Sequence, residues 1–182
     1  MGTKRLRCGY TTGTCAAAAA RAAAELLVWG VAIPAVVVQT PSGVEVLVEV
    51  ETYEAGPGWA ECTVRKDAGD DHDVTDGALV LARVEWRAEP GIGITGGLGV
   101  GRVTRAGLDQ PVGEAAINSV PRRMILEQVQ AVLLADRPGG GPGDAMLRQS
   151  SLGEMPAGHF SRSEEHTSEL QSLRLSRMPS YA

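Results

Sequence analysis

Thr11-Thr12-Gly13-Thr14-Cys15-Ala16-Ala17-Ala18-Ala19-Ala20-Arg21-Ala22-Ala23-Ala24-Glu25-Leu26-Leu27-Val28-Trp29-Gly30 decides the reading of the fold. From Cys15 to Trp29 it is built of strong helix formers, with Gly30 placed as a C-cap and Pro34 shortly beyond. Side chains this short do not hold a neighbour at a distance, so the helix suits close packing against a sheet. The turn that leads into it, Leu6 to Cys15, contributes Gly9 and Gly13, where the backbone can bend and approach a ligand. Thr11, Thr12 and Thr14 supply hydroxyls for capping, and the first helical turn offers unpaired N–H groups at its positive end. Two readings stay open at this point, an ordinary capped helix start and a turn that holds an anion.

Outward from the helix, Ala35 to Gln39 and Val44 to Glu51 are β-branched runs flanking Thr40-Pro41-Ser42-Gly43, which reads as a hairpin turn. Trp59 to Lys66 alternates as a third strand. Asp67 to Asp76 is an acidic loop, and Gly77 to Arg87 reads as a short helix giving way to a strand from about Leu79. A glycine-dense stretch from Gly91 to Thr104 follows. Pro121 to Leu134 then shows helical periodicity, with Met124, Ile125, Val129, Val132 and Leu133 on one broad face. Strands grouped together with helices at both ends predict an α+β fold, a mixed or antiparallel sheet packed with the alanine helix and a second helix.

Composition sets limits on function. The 182 residues, 43% hydrophobic and 21% charged, are ordinary for a globular protein. A net charge of -5, with basic residues clustered only at Lys4 to Arg7, argues against a nucleic-acid surface. Cys8, Cys15 and Cys62 form neither a CxxC pair nor an even disulfide set and read as reduced thiols, which places the chain in the cytoplasm with no membrane partner. No apolar run has the length of a membrane span.

Lys66-Asp67-Ala68-Gly69-Asp70-Asp71-His72-Asp73-Val74-Thr75-Asp76-Gly77 sets five aspartates around one histidine. It is not a calcium loop: counted from Asp71, the sixth position is Asp76 rather than glycine and the twelfth is Ala82 rather than glutamate. A turn that caps itself, or carboxylates aimed into a site, both fit. Such crowding of like charge has to be offset by Arg65, Lys66 or a ligand. Gly97-Leu98-Gly99-Val100-Gly101 lacks the strand-to-helix setting of a dinucleotide fingerprint and reads as a flexible loop or as a backbone cradle, with Arg102 and Arg105 as cationic partners for carboxylates. Pro121 marks a helix start, and Arg122 and Arg123 read as solvated.

Three stretches taken together resemble the cobalt-precorrin-5B C(1)-methyltransferase family of the anaerobic cobalamin pathway. They are Leu6 to Ala19, Lys66 to Gly77, and Gly99-Val100-Gly101-Arg102-Val103-Thr104-Arg105-Ala106-Gly107-Leu108 continuing through Pro111 to Arg122. The resemblance covers about Arg5 to Leu126. It implies transfer of a methyl group from S-adenosylmethionine, as cosubstrate, to ring carbon C-1 of a tetrapyrrole rich in carboxylates, giving cobalt-precorrin-6A. Cobalt then arrives only as part of the substrate, and the protein needs no metal site of its own. By motif position, the resemblance puts Asp67, Asp70 and Asp71 in catalytic roles. It puts Gly9, Tyr10, Thr11, Thr12, Gly13, Thr14, Gly99, Gly101, Arg102, Arg105 and Asn118 against the substrate. Family members also carry a later α/β domain with an Asn-Pro-Arg-Leu-Gly-Ile motif that this chain lacks, so the expectation is an N-terminal fragment, inactive alone. The alternative is a non-catalytic binding module for a phosphate- or carboxylate-bearing ligand.

The end of the chain reads differently. Arg162 to Ser172 resembles the conceptual translation of a sequencing-library adapter, and Ser176 to Ala182 resembles its continuation apart from Tyr181, with Leu173 to Leu175 as index sequence between. The expected division is therefore an N-terminal α+β domain over 1–136, a Pro/Gly-rich linker or degraded read end over 137–161, and a non-native tail over 162–182.

Overall fold

A helix that is apolar on every side is stable only when covered on every side, and the alanine run meets that condition. In the computed structural model, which describes residues 9–70, 73–88, 90–107, 109–135 and 173–175, it forms α1 (Thr12–Trp29), and Ala16–Ala20 and Ala22–Ala24 are at most 1% exposed. The helix begins three residues before Cys15 because Thr11, in extended conformation, caps it: its Oγ1 accepts the Thr14 N–H at 3.2 Å. It ends at Gly30, whose left-handed conformation (φ 67°) turns its N–H back to the Leu26 carbonyl at 2.9 Å.

Against α1 lies a four-stranded antiparallel sheet in the order β1 (Ala35–Gln39), β2 (Glu45–Gly56), β3 (Trp59–Arg65), β4 (Leu79–Glu85). The expected hairpin closes as read, with Thr40 Oγ1 accepting the Val44 N–H at 3.2 Å. Alternation sends Val36, Val38, Val48, Ala60, Cys62, Val64, Val80, Ala82 and Val84 into one core with the α1 alanines. The second helix, α2 (Ser119–Leu134), covers α1 from the other side through Met124, Ile125, Val129 and Val132. Gly13 lies against the Pro121 ring and Arg21 bonds Gln128 at 3.0 Å, so the two helices run parallel with their N-termini side by side.

The short helix expected from Gly77 does not form. Gly77 and Ala78 close a turn with Lys66 (Gly77 N–H to Lys66 O and Lys66 N–H to Ala78 O, both 2.9 Å), and pairing with β3 takes over from Leu79. The glycine-dense stretch contains a short strand, β5 (Ile92–Ile94), paired antiparallel with β6 (Leu173–Leu175). Residues 137–161, and the rest of the tail, lie outside the described residues. Among those described, no helix is long and apolar enough to cross a membrane.

Candidate functional site

The Gly/Thr turn and the acidic loop, 50 or more residues apart in sequence, are locked together by backbone. The Tyr10 N–H donates to the Asp67 carbonyl at 2.9 Å, and Gly9 sits so close to Ala68 that a Cβ there would lie 2.1 Å from its carbonyl carbon. Their junction, with the first turn of α2, walls a cleft of about 1010 Å³. Gly9, Tyr10, Thr11, Thr12, Gly13 and Thr14 form one side, Lys66, Ala68, Asp70, Asp73 and Thr75 another, and Thr40–Ser42 with Val120, Pro121 and Met124 complete it. Thr14 is capped and Cys15 N–H bonds Thr11 O, which leaves the N–H groups of Thr12 and Gly13 without an acceptor among the described residues.

Lys66 is the charge at the centre of this wall. It continues the inward series Ala60, Cys62, Val64 past the end of β3 and is only 5% exposed. A buried ammonium has to be compensated: Lys66 Nζ donates to Asp73 Oδ2 at 2.5 Å and to Thr75 Oγ1. Asp73 Oδ1 in turn accepts the Thr75 N–H and hydroxyl at 2.8 and 2.7 Å. The Lys66 ammonium, together with these Thr75 donors, holds the Asp73 carboxyl well below the usual carboxylate range. Because the folded-state value is depressed, this stabilisation is complete above the unfolded value near 3.8 and is lost as pH falls through that value toward the folded one. Amide exchange across 73–76 is therefore expected to hold steady from neutral pH to about 5 and to accelerate relative to its intrinsic rate below about 4. Relative exchange that stays flat below pH 4 would show the linkage to be absent.

Tyr10 and Lys66 also border an adjoining cleft of about 350 Å³, shared with Glu49, Glu51, Arg65, Asp67, Asp76 and Gly77. Arg65 there bonds Glu51 through two nitrogens, at 2.5 and 3.0 Å. Cys15 and Cys62 are no nucleophiles, since burial pushes both thiols up to about 12.

Of the three expected catalytic carboxylates, Asp70 lines the main cleft. Asp67 lines the adjoining one, with its Oδ1 accepting the Gly69 N–H at 2.8 Å, and Asp71 lies outside the described residues. The whole expected turn from Gly9 to Thr14 is on the main cleft. Gly99, Gly101, Arg102, Arg105 and Asn118 line neither cleft. Gly101 and Arg102 belong to a braced loop: Ala116 N–H bonds Gly101 O at 2.8 Å, and Arg102 Nη1 donates to Gly113 O at 2.8 Å. Asn118 is the N-cap of α2 but makes no side-chain cap bond; Asp109 takes the Ser119 N–H instead, at 2.6 Å, and that donor holds the Asp109 carboxyl below its usual range. Lys66, expected from the sequence only as a charge offsetting the aspartates, does pair with Asp73, and neither of them nor Thr75 was among the expected site residues. The alternation of β3 was the available signal, because it carries Lys66 inward. Among the described residues no group of His, Cys, Asp and Glu could hold a metal ion.

No solved structure matches the chain. A cobalt-precorrin-5B C(1)-methyltransferase of Rubrobacter xylanophilus is 55% identical over 139 residues, covering 75% of this chain and 36% of its own length. Proteins of the same description from Pseudomonas aeruginosa (53% over 136 residues; 75% and 37%) and Ruminiclostridium cellulolyticum (50% over 129 residues; 71% and 33%) are similar to it as well. The chain spans about a third of the length of these curated relatives. The family model described as CbiD matches residues 1–143, which include the turn, the acidic loop and both helices, and the chain belongs to the CbiD family.

Proposed function

We propose that this chain forms the substrate-side third of an enzyme that methylates C-1 of cobalt-precorrin-5B, giving cobalt-precorrin-6A in anaerobic cobalamin biosynthesis in the cytoplasm. The observation that carries the reading is the meeting of the Gly9–Thr14 turn and the Lys66–Thr75 loop on one cleft of about 1010 Å³. Its Thr12 and Gly13 N–H groups, at the positive end of α1, suit the carboxylate arms of a polyacidic macrocycle. S-adenosylmethionine would supply an electrophilic methyl on a sulfonium sulfur. Carbon C-1 gives the electron pair, the S–CH3 bond breaks onto sulfur, and the positive charge carried in with the methyl is relieved by loss of a proton. The protein's part is in-line placement and a base. Of the two described aspartates marked by motif position, Asp70 lines this cleft and Asp67 the adjoining one, and we assign Asp70 that role.

The test is methyl transfer from labelled S-adenosylmethionine to cobalt-precorrin-5B by a full-length protein carrying this N-terminal sequence. Asp70→Asn is expected to lower kcat about 100-fold with KM nearly unchanged. Undiminished turnover would remove Asp70 as the base, whereas no transfer by the unsubstituted protein would sink the reading itself.

We also propose that residues 1–136 are the folding unit and that 137–182, the short β5–β6 ladder included, add little to its stability. A 1–136 fragment is expected to melt within about 2 °C of the full chain, a difference that corresponds to well under 1 kcal/mol. A drop of about 8 °C or more, roughly 2 kcal/mol, would make the later residues part of the fold.

A further inference from the structure

The loop that carries Asp70 is tied to itself by one side chain. Its later limb is anchored on Lys66, whose buried ammonium holds Asp73 and Thr75, and the Asp76 N–H closes a turn on the Asp73 carbonyl at 3.0 Å. The earlier limb, Asp67 to Asp70, joins it where Asp76 Oδ1 accepts the Ala68 N–H at 2.8 Å. Ala68 is only 6% exposed, and Gly9 packs against its carbonyl and Cα, so without Asp76 this N–H would be left buried and unpaired. Gly69 (φ 69°), its N–H held by Asp67 Oδ1, then turns the chain into Asp70 on the main cleft. Asp70 thus stands two residues beyond a point of backbone clamped from two sides, by Gly9 and by Asp76. Asp76 itself is exposed, where a carboxylate adds little through its charge. What distinguishes it is the buried donor it serves.

We infer that Asp76 is a positioning residue for the methyl transfer: as acceptor for the Ala68 N–H, it fixes the limb that presents Asp70 to the cleft. The inference rests on the assignment of Asp70 as the base. A group displaced by about 1 Å from its working geometry can cost up to about 100-fold in rate, so a single bond at the root of this limb bears on turnover. The position needs an acceptor rather than a charge, and the Oδ1 of asparagine offers one of the same shape.

Amide exchange and turnover test this together. In the full chain, Asp76→Ala is expected to raise exchange at Ala68 at least about tenfold while Ala17–Ala24 keep their protection, and Asp76→Asn to hold Ala68 within about threefold of the unsubstituted chain. Unchanged exchange at Ala68 in Asp76→Ala would overturn the inference. In the full-length protein, Asp76→Ala should lower kcat about tenfold with KM within about twofold, and Asp76→Asn should recover most of that loss. An asparagine variant as slow as the alanine one would make the charge itself the active feature and would overturn the inference too. The double variant Asp70→Asn, Asp76→Ala should be no slower than Asp70→Asn alone, because Asp76 acts through Asp70. A further loss of the full tenfold or so would make Asp76 merely structural and leave Asp70 as the base. Undiminished turnover in Asp70→Asn would instead remove the base, and this inference with it.

Discussion

Gly9→Ala is expected to lower the melting temperature by about 10 °C and to separate the Gly/Thr turn from the acidic loop. The added Cβ would lie 2.1 Å from the Ala68 carbonyl carbon, 2.3 Å from its oxygen and 2.5 Å from its Cα. All three are backbone atoms, so no side chain can rotate away, and either the turn or the loop has to move. Movement breaks the Tyr10 N–H to Asp67 O bond of 2.9 Å. Overpacking against backbone together with the lost, half-buried hydrogen bond costs about 3 kcal/mol, which for a domain of this size is about 10 °C. Gly58→Ala is the control: Gly58 has φ 79° but nothing near its missing Cβ, so only the backbone cost of roughly 1–2 kcal/mol applies. Thermal unfolding followed by circular dichroism separates the two. An unchanged melting temperature for Gly9→Ala would mean that the two motifs are not interlocked.

Lys66→Met should leave the helices in place and disable the cleft. Methionine preserves the length and most of the packing of the buried stem while removing the ammonium that Asp73 and Thr75 surround. The Asp73 carboxyl, held low first by Lys66, is expected to rise toward the ordinary carboxylate range, visible as a shifted titration of its side-chain carbon by NMR. Affinity for a tetrapyrrole polycarboxylate should fall about tenfold or more, since each tenfold is only 1.4 kcal/mol and the wall has lost its buried positive charge. Asp73→Asn strands the ammonium instead and should cost more stability than Lys66→Met. An Asp73 titration unmoved by Lys66→Met would show that the lysine does not hold it.

The elements that local chemistry controls were legible in the sequence. Gly30 ends α1 as read, because a left-handed glycine acts within one turn, whereas the start lies three residues before the expected Cys15, at the Thr11 cap. Ala35–Gln39 and Trp59–Arg65 follow their β-branched and alternating patterns. Gly77 and Ala78 went astray because local helix preference lost to the turn with Lys66 and to the long-range ladder of β4 on β3.

The same divide runs through the site. The turn from Gly9 to Thr14 is contiguous, and the fold brings all of it to one cleft. Which aspartates face the main cleft depends on tertiary placement: Asp70 and Asp73 line it, while Asp67 and Asp76 line the adjoining one. Arg102, a natural partner for carboxylates by charge alone, is held by the Gly113 carbonyl, a pairing set by the bridge between Arg102 and Ala115. Lys66 could have been read from the β3 alternation, but a lysine on an inward position declares itself only once Asp73 and Thr75 are seen around it.

The most direct measurement is a nitrogen-15 NMR titration of this chain with a diamagnetic cobalt(III) tetrapyrrole polycarboxylate. Saturable shifts are expected at Thr12, Gly13, Lys66, Asp70 and Thr75, which are among the residues that wall the cleft, and these shifts should be lost in Lys66→Met. Saturable shifts centred on Arg102 and Arg105, with the cleft amides silent, would contradict this.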